Sequence, residues 1–294
     1  MTLASVTNRA VVVTGLAAVT PAGLGLEAYR RWRAAGNGPG PTVCAGFDPA
    51  HLIRQPRRLR SMHRTFQLGT AAAVLALEGA GLTAADALAP ERWGIACALA
   101  DVSPFTADLR EVVAAAIGPD GRFNLSQFAE LGLHQLHPFR RLTLLANMAA
   151  AHTSLLLGLQ GPSFTFTSGA AAGAQTLQEA YWAVASGRAE LMLCQAASGP
   201  EQALAGAAVT ELAAAAVLES DAHARRRDAT PLATLLAGPA TVAAAARPAP
   251  EPAHAGAEAP VRGLLAALDE IETRGARQVI ELRPLLVTAM ERAV

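Results

Sequence analysis

The chain has 294 residues, of which 52% are apolar and 16% charged, and its formal net charge is zero. These values predict a globular protein with one large domain or two small ones around a buried core, and they exclude a disordered chain. All 24 basic residues are arginines, so lysine Schiff-base and lysine-nucleophile chemistry are excluded. Charge neutrality argues against a nucleic-acid partner.

Three cysteines, Cys44, Cys97 and Cys194, are too few and too scattered for a disulfide framework or a zinc site. We therefore expect a reducing, cytoplasmic location, with no metal and no cofactor. The apolar stretch after Arg9 superficially resembles a signal peptide but has no clean small-residue cleavage site, so we interpret it as the first strand. No segment offers the roughly eighteen continuous strongly apolar residues of a membrane span, so no membrane partner is expected.

Short buried strands alternate with helices along the chain. Apolar periodicity and turn residues predict, in order, a strand at Val11 to Val13, helices at Leu26 to Ala35 and Thr65 to Gly81, a strand at Trp93 to Leu99, a helix at Asp108 to Ile117, a long apolar helix at Leu142 to Leu159, a strand at Ser163 to Thr167, a Gly/Ala-rich helix ending at Gly187, and a strand at Glu190 to Gln195. This alternation is typical of a layered α/β domain with a partly parallel sheet.

The composition changes near the C-terminus. Residues 243–260 are rich in Ala and Pro, which predicts a flexible linker. The sequence therefore predicts a main domain at 1–242 and a short αβα remnant at 261–294, too small to fold alone and packed on the main domain. Its predicted elements are a helix at Leu264 to Arg274, a strand at Gln278 to Leu282 and a helix at Pro284 to Val294.

Four sequence pieces follow one another along the chain: VVVTGLAAVTPAGLGLEAYRRWRAAGNG, HRTFQLGTAAAVLALEGAGL, the stretch from Asn147 to Ser198, and AAAAVLESDAHARRR. In this order they resemble the β-ketoacyl synthase family of the thiolase fold. The third is the most specific, because it combines an N-M-A-A helix, a G-x-x-G-P turn, a strand, a small-residue elbow and a helix leading to the strand G-R-A-E-L-M-L. The resemblance covers about residues 8–238. It implies a thiolase-like layered α/β/α fold, mainly the N-terminal half of a ketosynthase, with a reduced C-terminal half.

Active members of that family carry a nucleophilic cysteine at the elbow, and the matching position here is Ala170. A cysteine is needed there because a helix N-terminus lowers the pKa of a thiol, and the thiolate then attacks an acyl thioester. A methyl group does neither. Active members also need two histidines in H-G-T-G-T and G-H-(T/L) loops and a supporting lysine, and none of the seven histidines has either context. The resemblance thus implies no catalytic residue. His152 is expected in the core or at an interface.

Within this family, chain-length factors have lost the cysteine, form heterodimers with an active ketosynthase and line the far wall of its product tunnel. Many carry Gln at the nucleophile position, whereas this chain has Ala170. Its shortness is similar to that of truncated chain-length-factor-like proteins of aryl polyene and highly reducing type II polyketide systems. The resemblance implies a non-catalytic subunit that stabilises an active ketosynthase and sets the length of a polyketide (polyene) chain. An acyl carrier protein is the second implied partner.

Three residues are candidates for the tunnel wall by position: Phe105, Leu109 and Val112 are spaced i, i+4 and i+7, on one helical face. The alternative is that they are ordinary core residues. The basic cluster from Arg54 to Arg64, with Arg57 and Arg58 as the candidate contacts, predicts a patch for an acidic carrier protein, or else a solvated loop.

Seven residues are predicted at the subunit interface. The apolar helix must bury its surface somewhere, and the resemblance implies that the elbow strand pairs across the two-fold axis between subunits. They are Phe139, Leu142, Asn147, Met148, Phe164, Phe166 and Ser168. For the two phenylalanines of the elbow strand, packing in the core is the alternative.

Two other functions remain open at the level of sequence. The chain could be an independent acyltransferase-like or thioester enzyme that uses Ser168, Cys194 or Cys97, in which case an acyl analogue would label one of them. It could also be a docking module for a carrier protein, which is compatible with the chain-length-factor interpretation.

Overall fold

The structure is a computed structural model. It describes residues 9–35, 42–83, 89–99, 107–136, 145–169, 171–200, 209–236, 261–262, 264–266, 269 and 279–281. The described part is built on one mixed eight-stranded sheet with buried apolar clusters on both faces. The expectation of a layered α/β fold with a partly parallel sheet is confirmed.

The strand order across the sheet is β4-β3-β5-β6-β1-β7-β8, with the short strand β2 paired to β1. The strands are β1 Val11–Thr20, β2 Gly23–Leu24, β3 Trp93–Leu99, β4 Ser163–Phe166, β5 Leu191–Ser198, β6 Leu212–Ser220, β7 Ala233–Leu236 and β8 Val279–Glu281. Strand β3 is parallel to β4 and β5, whereas β6 is antiparallel to β5 and β1. β3, β4 and β5 therefore all end at the same edge of the sheet.

The described helices of four or more residues lie between these strands or after them. They are α1 Gly25–Ala34, α2 Pro56–Leu59, α3 Arg64–Gly79, α4 Ala107–Ala115, α5 Leu125–Gln135, α6 Asn147–Leu157, α7 Ala171–Ala185 and α8 Asp221–Arg226. Helices α2, α5 and α8 were not predicted from the sequence, and helix α6 differs at its start. Helix α6 begins at Asn147, five residues later than the predicted Leu142. Helix α5 was not predicted, although Asn124 caps it by accepting a hydrogen bond from the Gln127 amide at 3.0 Å.

Alternation along each central strand divides the core between the two faces of the sheet. On β5, Leu191 and Leu193 face the cluster that contains α3 and α6, while Met192 and Cys194 face the cluster that contains α7. All eight β5 residues are buried, as expected for a strand covered on both sides. Gly15 allows β1 to approach α3 closely, because a Cβ there would lie 2.1 Å from the Ala76 carbonyl oxygen.

The described residues after 260 contact the sheet side that carries α7 and helix α1. Val261, Leu264 and Leu265 are buried in the α7-side cluster, and Asp269 forms an ion pair with Arg33 of α1. Residues 261 and 262 are already helical, before the predicted start at Leu264, and β8 confirms the strand predicted at 278–282. The predicted linker 243–260 and the predicted last helix from Pro284 to Val294 lie outside the described residues.

Candidate functional site: the β4–α7 elbow

The elbow connects the edge strand β4 to helix α7. Ser168 is exposed, and Gly169 adopts φ +60, a left-handed conformation that glycine takes without steric cost. The Gly169 carbonyl oxygen then accepts a hydrogen bond from the Ala172 amide at 3.1 Å as the helix begins. Ala170, the predicted apex of the elbow, lies outside the described residues, between this glycine and the first residue of α7.

The first turn of α7 consists of small buried residues. Ala171, Ala172, Gly173 and Ala174 all lie in the core, where α7 packs on β3 and β5. The first amides of a helix have no partner within the helix, so this end carries partial positive charge. Residues 171–174 have no ionisable side chain whose charged form this helix end could stabilise. The described part of the elbow therefore places a positively polarised helix end after β4, but residues 171–174 offer no nucleophile.

Ser168 is the remaining hydroxyl at the elbow. Its Oγ donates a hydrogen bond to the amide oxygen Oε1 of Gln175, one turn into α7. A serine nucleophile needs an adjacent base to remove its proton, and a neutral amide oxygen is not such a base. The geometry therefore gives Ser168 no activating partner in the described part of the chain.

All three cysteines are free and buried. Burial, reinforced by the charge of Glu211, raises the pKa of Cys44 to about 12, and burial raises the pKa of Cys97 to about 12. Burial also raises the pKa of Cys194, which is 0% exposed. A thiol must ionise to attack a thioester, so these environments oppose nucleophilic use of any of the three.

His152 lies in the core, which agrees with one of its two predicted positions. It is 5% exposed on α6, and its ring lies 6.1 Å from the ring of Phe66. Burial lowers the pKa of His152, and the positive charge of Arg58 lowers it further. A neutral, buried imidazole packed on an aromatic ring is a structural group. Among the described residues, no group of three or more His, Cys, Asp and Glu side chains could hold a metal ion.

The tunnel-wall candidates fall in and before helix α4. Phe105 lies outside the described residues, Leu109 is partly exposed, and Val112 is 0% exposed. Helix α4 packs against α5, so Val112 is already covered by its own chain, as the core alternative expects. The α4–α5 pair carries three exposed apolar residues that the sequence did not single out. They are Ile117, Phe123 and Leu125.

Five of the seven predicted interface residues are described, and all five have partly or fully accessible side chains. Asn147, at the start of α6, and Ser168 are exposed, and Phe164 and Phe166 are partly buried. The two phenylalanine rings pack against the α7-side cluster and lie 6.4 Å apart, so their inner faces belong to the core. No described strand pairs with the outer side of β4, which leaves that edge open within the described chain.

The other predicted interface residues are Met148, Phe139 and Leu142. Met148 is partly buried against the α3–α6 cluster. Phe139 and Leu142 lie outside the described residues. Two exposed leucines extend the accessible surface around α6: Leu145 is 52% exposed and Leu155 is 60% exposed.

The arginine cluster divides into surface and structural members. Arg54, Arg57 and Arg60 are exposed. Arg58 is half-buried and donates to the side-chain oxygen of Gln55. Arg64 is a structural residue: its guanidinium binds both Glu211 carboxylate oxygens at 3.1 Å. Of the two predicted carrier-protein contacts, Arg57 is thus the more accessible.

None of the described helices is long and apolar enough to cross a bilayer.

Three solved structures share the fold. A β-ketoacyl synthase from Burkholderia phymatum STM815 aligns with a TM-score of 0.58 and 20% identity over 77% of this chain and 62% of that one. The ishigamide ketosynthase/chain length factor aligns with a TM-score of 0.55 and 21% identity, over 78% of this chain and 62% of that one. A further match is a chain from the structure of a type II polyketide synthase acyl-carrier protein in complex with its ketosynthase, bound to the hexaketide. It aligns with a TM-score of 0.63 and 20% identity, over 97% of this chain and 92% of that one.

Sequence comparison gives the family. A putative polyketide β-ketoacyl synthase 1 of Streptomyces halstedii is 29% identical over 210 residues, 66% of this chain and 47% of that protein. Nodulation protein E of Rhizobium leguminosarum bv. trifolii is 30% identical over 266 residues, 77% and 62% respectively. The chain thus spans about half to three fifths of these relatives. The family model described as "Beta-ketoacyl synthase, N-terminal domain" matches residues 28–230, and the chain therefore belongs to the β-ketoacyl synthase family.

Proposed function

We propose that this protein is a non-catalytic subunit of the chain-length-factor type, which forms a heterodimer with an active ketosynthase in type II polyketide synthesis. The observation that carries the proposal is the elbow. Its strand, its left-handed Gly169 and the small-residue start of α7 are kept, while the sequence has Ala170 where the family resemblance places the nucleophile. A chain that keeps this scaffold without a thiol has a structural use for it.

The alternative of an independent thioester enzyme has no support in the chemistry of the described residues. The three thiols are buried, and burial raises the pKa of each. The hydroxyl of Ser168 is bonded to an amide oxygen rather than to a base. In the proposed complex, the Claisen condensation belongs to the partner.

The proposed partner surface is the open edge of β4 together with the exposed side of α6. An unpaired strand edge is a template for pairing with another chain, and exposed leucines beside it favour association. The similarity to a ketosynthase/chain length factor supports the kind of partner. The near-complete mutual coverage with one chain of the carrier-protein complex also supports it, because that chain is of about the same length.

Leu109 and Phe105 are the proposed determinants of product length. Val112 is covered by its own subunit, so we give it the supporting role of fixing α4 against α5. The side chain of Leu109 keeps accessible surface. Shortening it enlarges any cavity that it helps to close, so Leu109→Ala in the complex should shift the products toward longer chains.

The carrier protein is proposed to bind at Arg57, with Arg58 behind it. Arg54, Arg57 and Arg60 form an exposed positive surface, which suits a negatively charged partner. Reversing the charge with Arg57→Glu should slow turnover of the complex with carrier-bound substrate, and the effect should shrink at high salt. Unchanged turnover would contradict this part of the proposal.

Co-expression with an active ketosynthase from the same organism tests the partnership, with size-exclusion chromatography and mass determination as the readout. We expect a stable one-to-one complex, with the active chain less soluble or inactive when it is alone. Leu155→Glu places a charge on the proposed interface and should weaken the complex. Leu24→Glu, a comparably exposed leucine on β2, is the matched control and should leave it intact. A monomer or homodimer that ignores the ketosynthase would refute the proposed function.

A further inference from the structure

A second cluster of arginines surrounds Glu190, the residue that precedes β5. Arg9 Nη1 lies 2.7 Å and Arg92 Nη2 3.1 Å from Glu190 Oε1, and Arg226 Nη2 lies 3.8 Å from Oε2. Ser220 donates to the same Oε2 at 2.6 Å. Three guanidinium groups therefore converge on one carboxylate.

The charges of this cluster do not balance. One carboxylate faces three guanidinium groups, so two positive charges are left without an acidic partner among the described residues. The Arg226 guanidinium is too far from Glu190 for a hydrogen bond, and its side chain is 62% exposed. Burial raises the pKa of Glu190, but hydrogen bonds from Ser220, Arg9 and Arg92 outweigh burial and lower it to about 2. The carboxylate thus stays charged, and the cluster stays positive across the physiological range.

The three arginine side chains keep exposed surface around a fixed centre. The Arg9 side chain packs against the turn at Gly187, since a Cβ added to Gly187 would lie 3.1 Å from the Arg9 guanidinium carbon. Arg92 is held by the Arg188 carbonyl oxygen at 3.5 Å as well as by Glu190. Arg9 and Arg92 side chains are 45% and 35% exposed, so donors remain accessible at the rim. Such a convergence of oriented guanidinium groups is suited to oxyanions.

This cluster is remote from the elbow by topology. Arg92 and Glu190 precede the parallel strands β3 and β5, Arg9 precedes β1, and Arg226 follows β6. The elbow follows β4, which runs parallel to β3. The cluster therefore lies at the edge of the sheet where these strands begin, and the elbow lies at the edge where they end.

We propose that the Arg9–Arg92–Arg226 cluster is a binding site for a dianionic phosphate monoester, with Glu190 as the fixed acceptor that orients Arg9 and Arg92 beside the exposed Arg226. A doubly charged oxyanion neutralises the two surplus positive charges and accepts hydrogen bonds from the guanidinium N–H groups that do not bond to Glu190. A monoanion leaves one charge unmatched, so the site discriminates by charge. This inference does not depend on the proposed subunit function.

The test is a ³¹P NMR titration of the full chain with phenyl phosphate at constant ionic strength. Arg226→Gln should weaken binding about tenfold, because it removes a charged donor from the site. Arg225→Gln is the matched control, since Arg225 is the neighbouring residue of α8 and pairs with Asp221 at 2.7 Å instead of Glu190. It should change the dissociation constant less than about twofold, as expected for an exposed pair. Equal binding by the two variants would overturn the proposal.

A second arm tests the charge requirement. A phosphate monoester has a second pKa of about 6, so it carries about two negative charges at pH 8 and about one at pH 5. Sulfate keeps two charges throughout, and its binding, measured by competition against phenyl phosphate, corrects for protonation of the protein. Phenyl phosphate should lose affinity relative to sulfate as the pH falls; a constant ratio would overturn the proposal. Arg226→Gln should still bind the ketosynthase, so failure of this inference and failure of the proposed function are distinguishable.

Discussion

Replacing Glu219 with Gln should destabilise the fold by an amount that depends on pH. Glu219, on β6, is 0% exposed and accepts hydrogen bonds from Thr14, His223 and Arg227. Burial raises the pKa of this carboxyl, but the three donors more than compensate and lower it from the ordinary 4.5 to about 2. Each unit of pKa difference between the folded and unfolded states corresponds to about 1.4 kcal/mol, so the charged form contributes about 3 kcal/mol at pH 7.

The sign of the pH dependence follows from the lowered pKa. The stabilisation is fully present above the unfolded pKa of 4.5 and is lost as the pH falls toward the folded value of about 2. Its magnitude should fall to roughly half near pH 3. The wild-type and Glu219→Gln proteins should therefore converge in stability on acidification, because the variant has no carboxyl to titrate at this position.

Urea unfolding followed by tryptophan fluorescence measures this difference. Trp93 lies edge-on to His223 with ring centroids 6.1 Å apart, so it reports on the network directly. Glu27→Gln is the matched control, since Glu27 forms an exposed pair with Arg30 and should cost less than about 0.5 kcal/mol. A loss below about 1 kcal/mol for Glu219→Gln at pH 7, or a difference from wild type that does not change on acidification, would refute the reasoning.

Other expectations follow from the same structure. Native protein at pH 8 should resist alkylation by iodoacetamide, because burial raises the pKa of each thiol, whereas protein in urea should react fully; rapid labelling of the native state would contradict the burial of Cys44, Cys97 and Cys194. Arg64→Ala should cost about 3 kcal/mol in urea unfolding, because Glu211 is left buried without its partner, whereas the exposed Arg60→Ala should cost less than about 0.5; similar losses would count against a structural role for Arg64. Thr153→Val should cost about 1–3 kcal/mol, because the hydroxyl that donates to Gln195 at 3.1 Å is removed from the core, and a neutral effect would contradict this.

Local patterns in the sequence predicted most strands and helices but not every boundary. The strand at Trp93–Leu99 was predicted with its observed bounds, because a turn residue and a continuous apolar run define both ends. The helix predicted from Leu142 was too long at its start, since an apolar run alone does not fix where a helix begins. Helix α5 was missed because Leu125 is exposed and Phe128 and Leu131 are only partly buried, which gives no clear core-facing stripe.

Only the part of the candidate site that belongs to the elbow motif could be predicted from the sequence. The elbow order of strand, small residues and helix could be read from the sequence, and the structure has β4, Gly169 and α7 in that order. The ion-pair clusters could not be read, because Arg9 and Glu190 are 181 residues apart and meet only through the fold. Periodicity carries no information on such pairs. The roles of Ala170 and Phe105 stay predictions, since both residues lie outside the description.

The described contacts that hold the elbow involve backbone groups and small side chains rather than a nucleophile. β4 is fixed by backbone pairing to β3, the turn by the conformation of Gly169, and the start of α7 by buried alanines and a hydrogen bond from Thr176 Oγ1 to the Ala172 carbonyl oxygen at 2.7 Å. None of these contacts uses the side chain of residue 170. We therefore expect a thiol at this helix start to contribute reactivity rather than stability, so the proposed absence of a nucleophile is compatible with the fold.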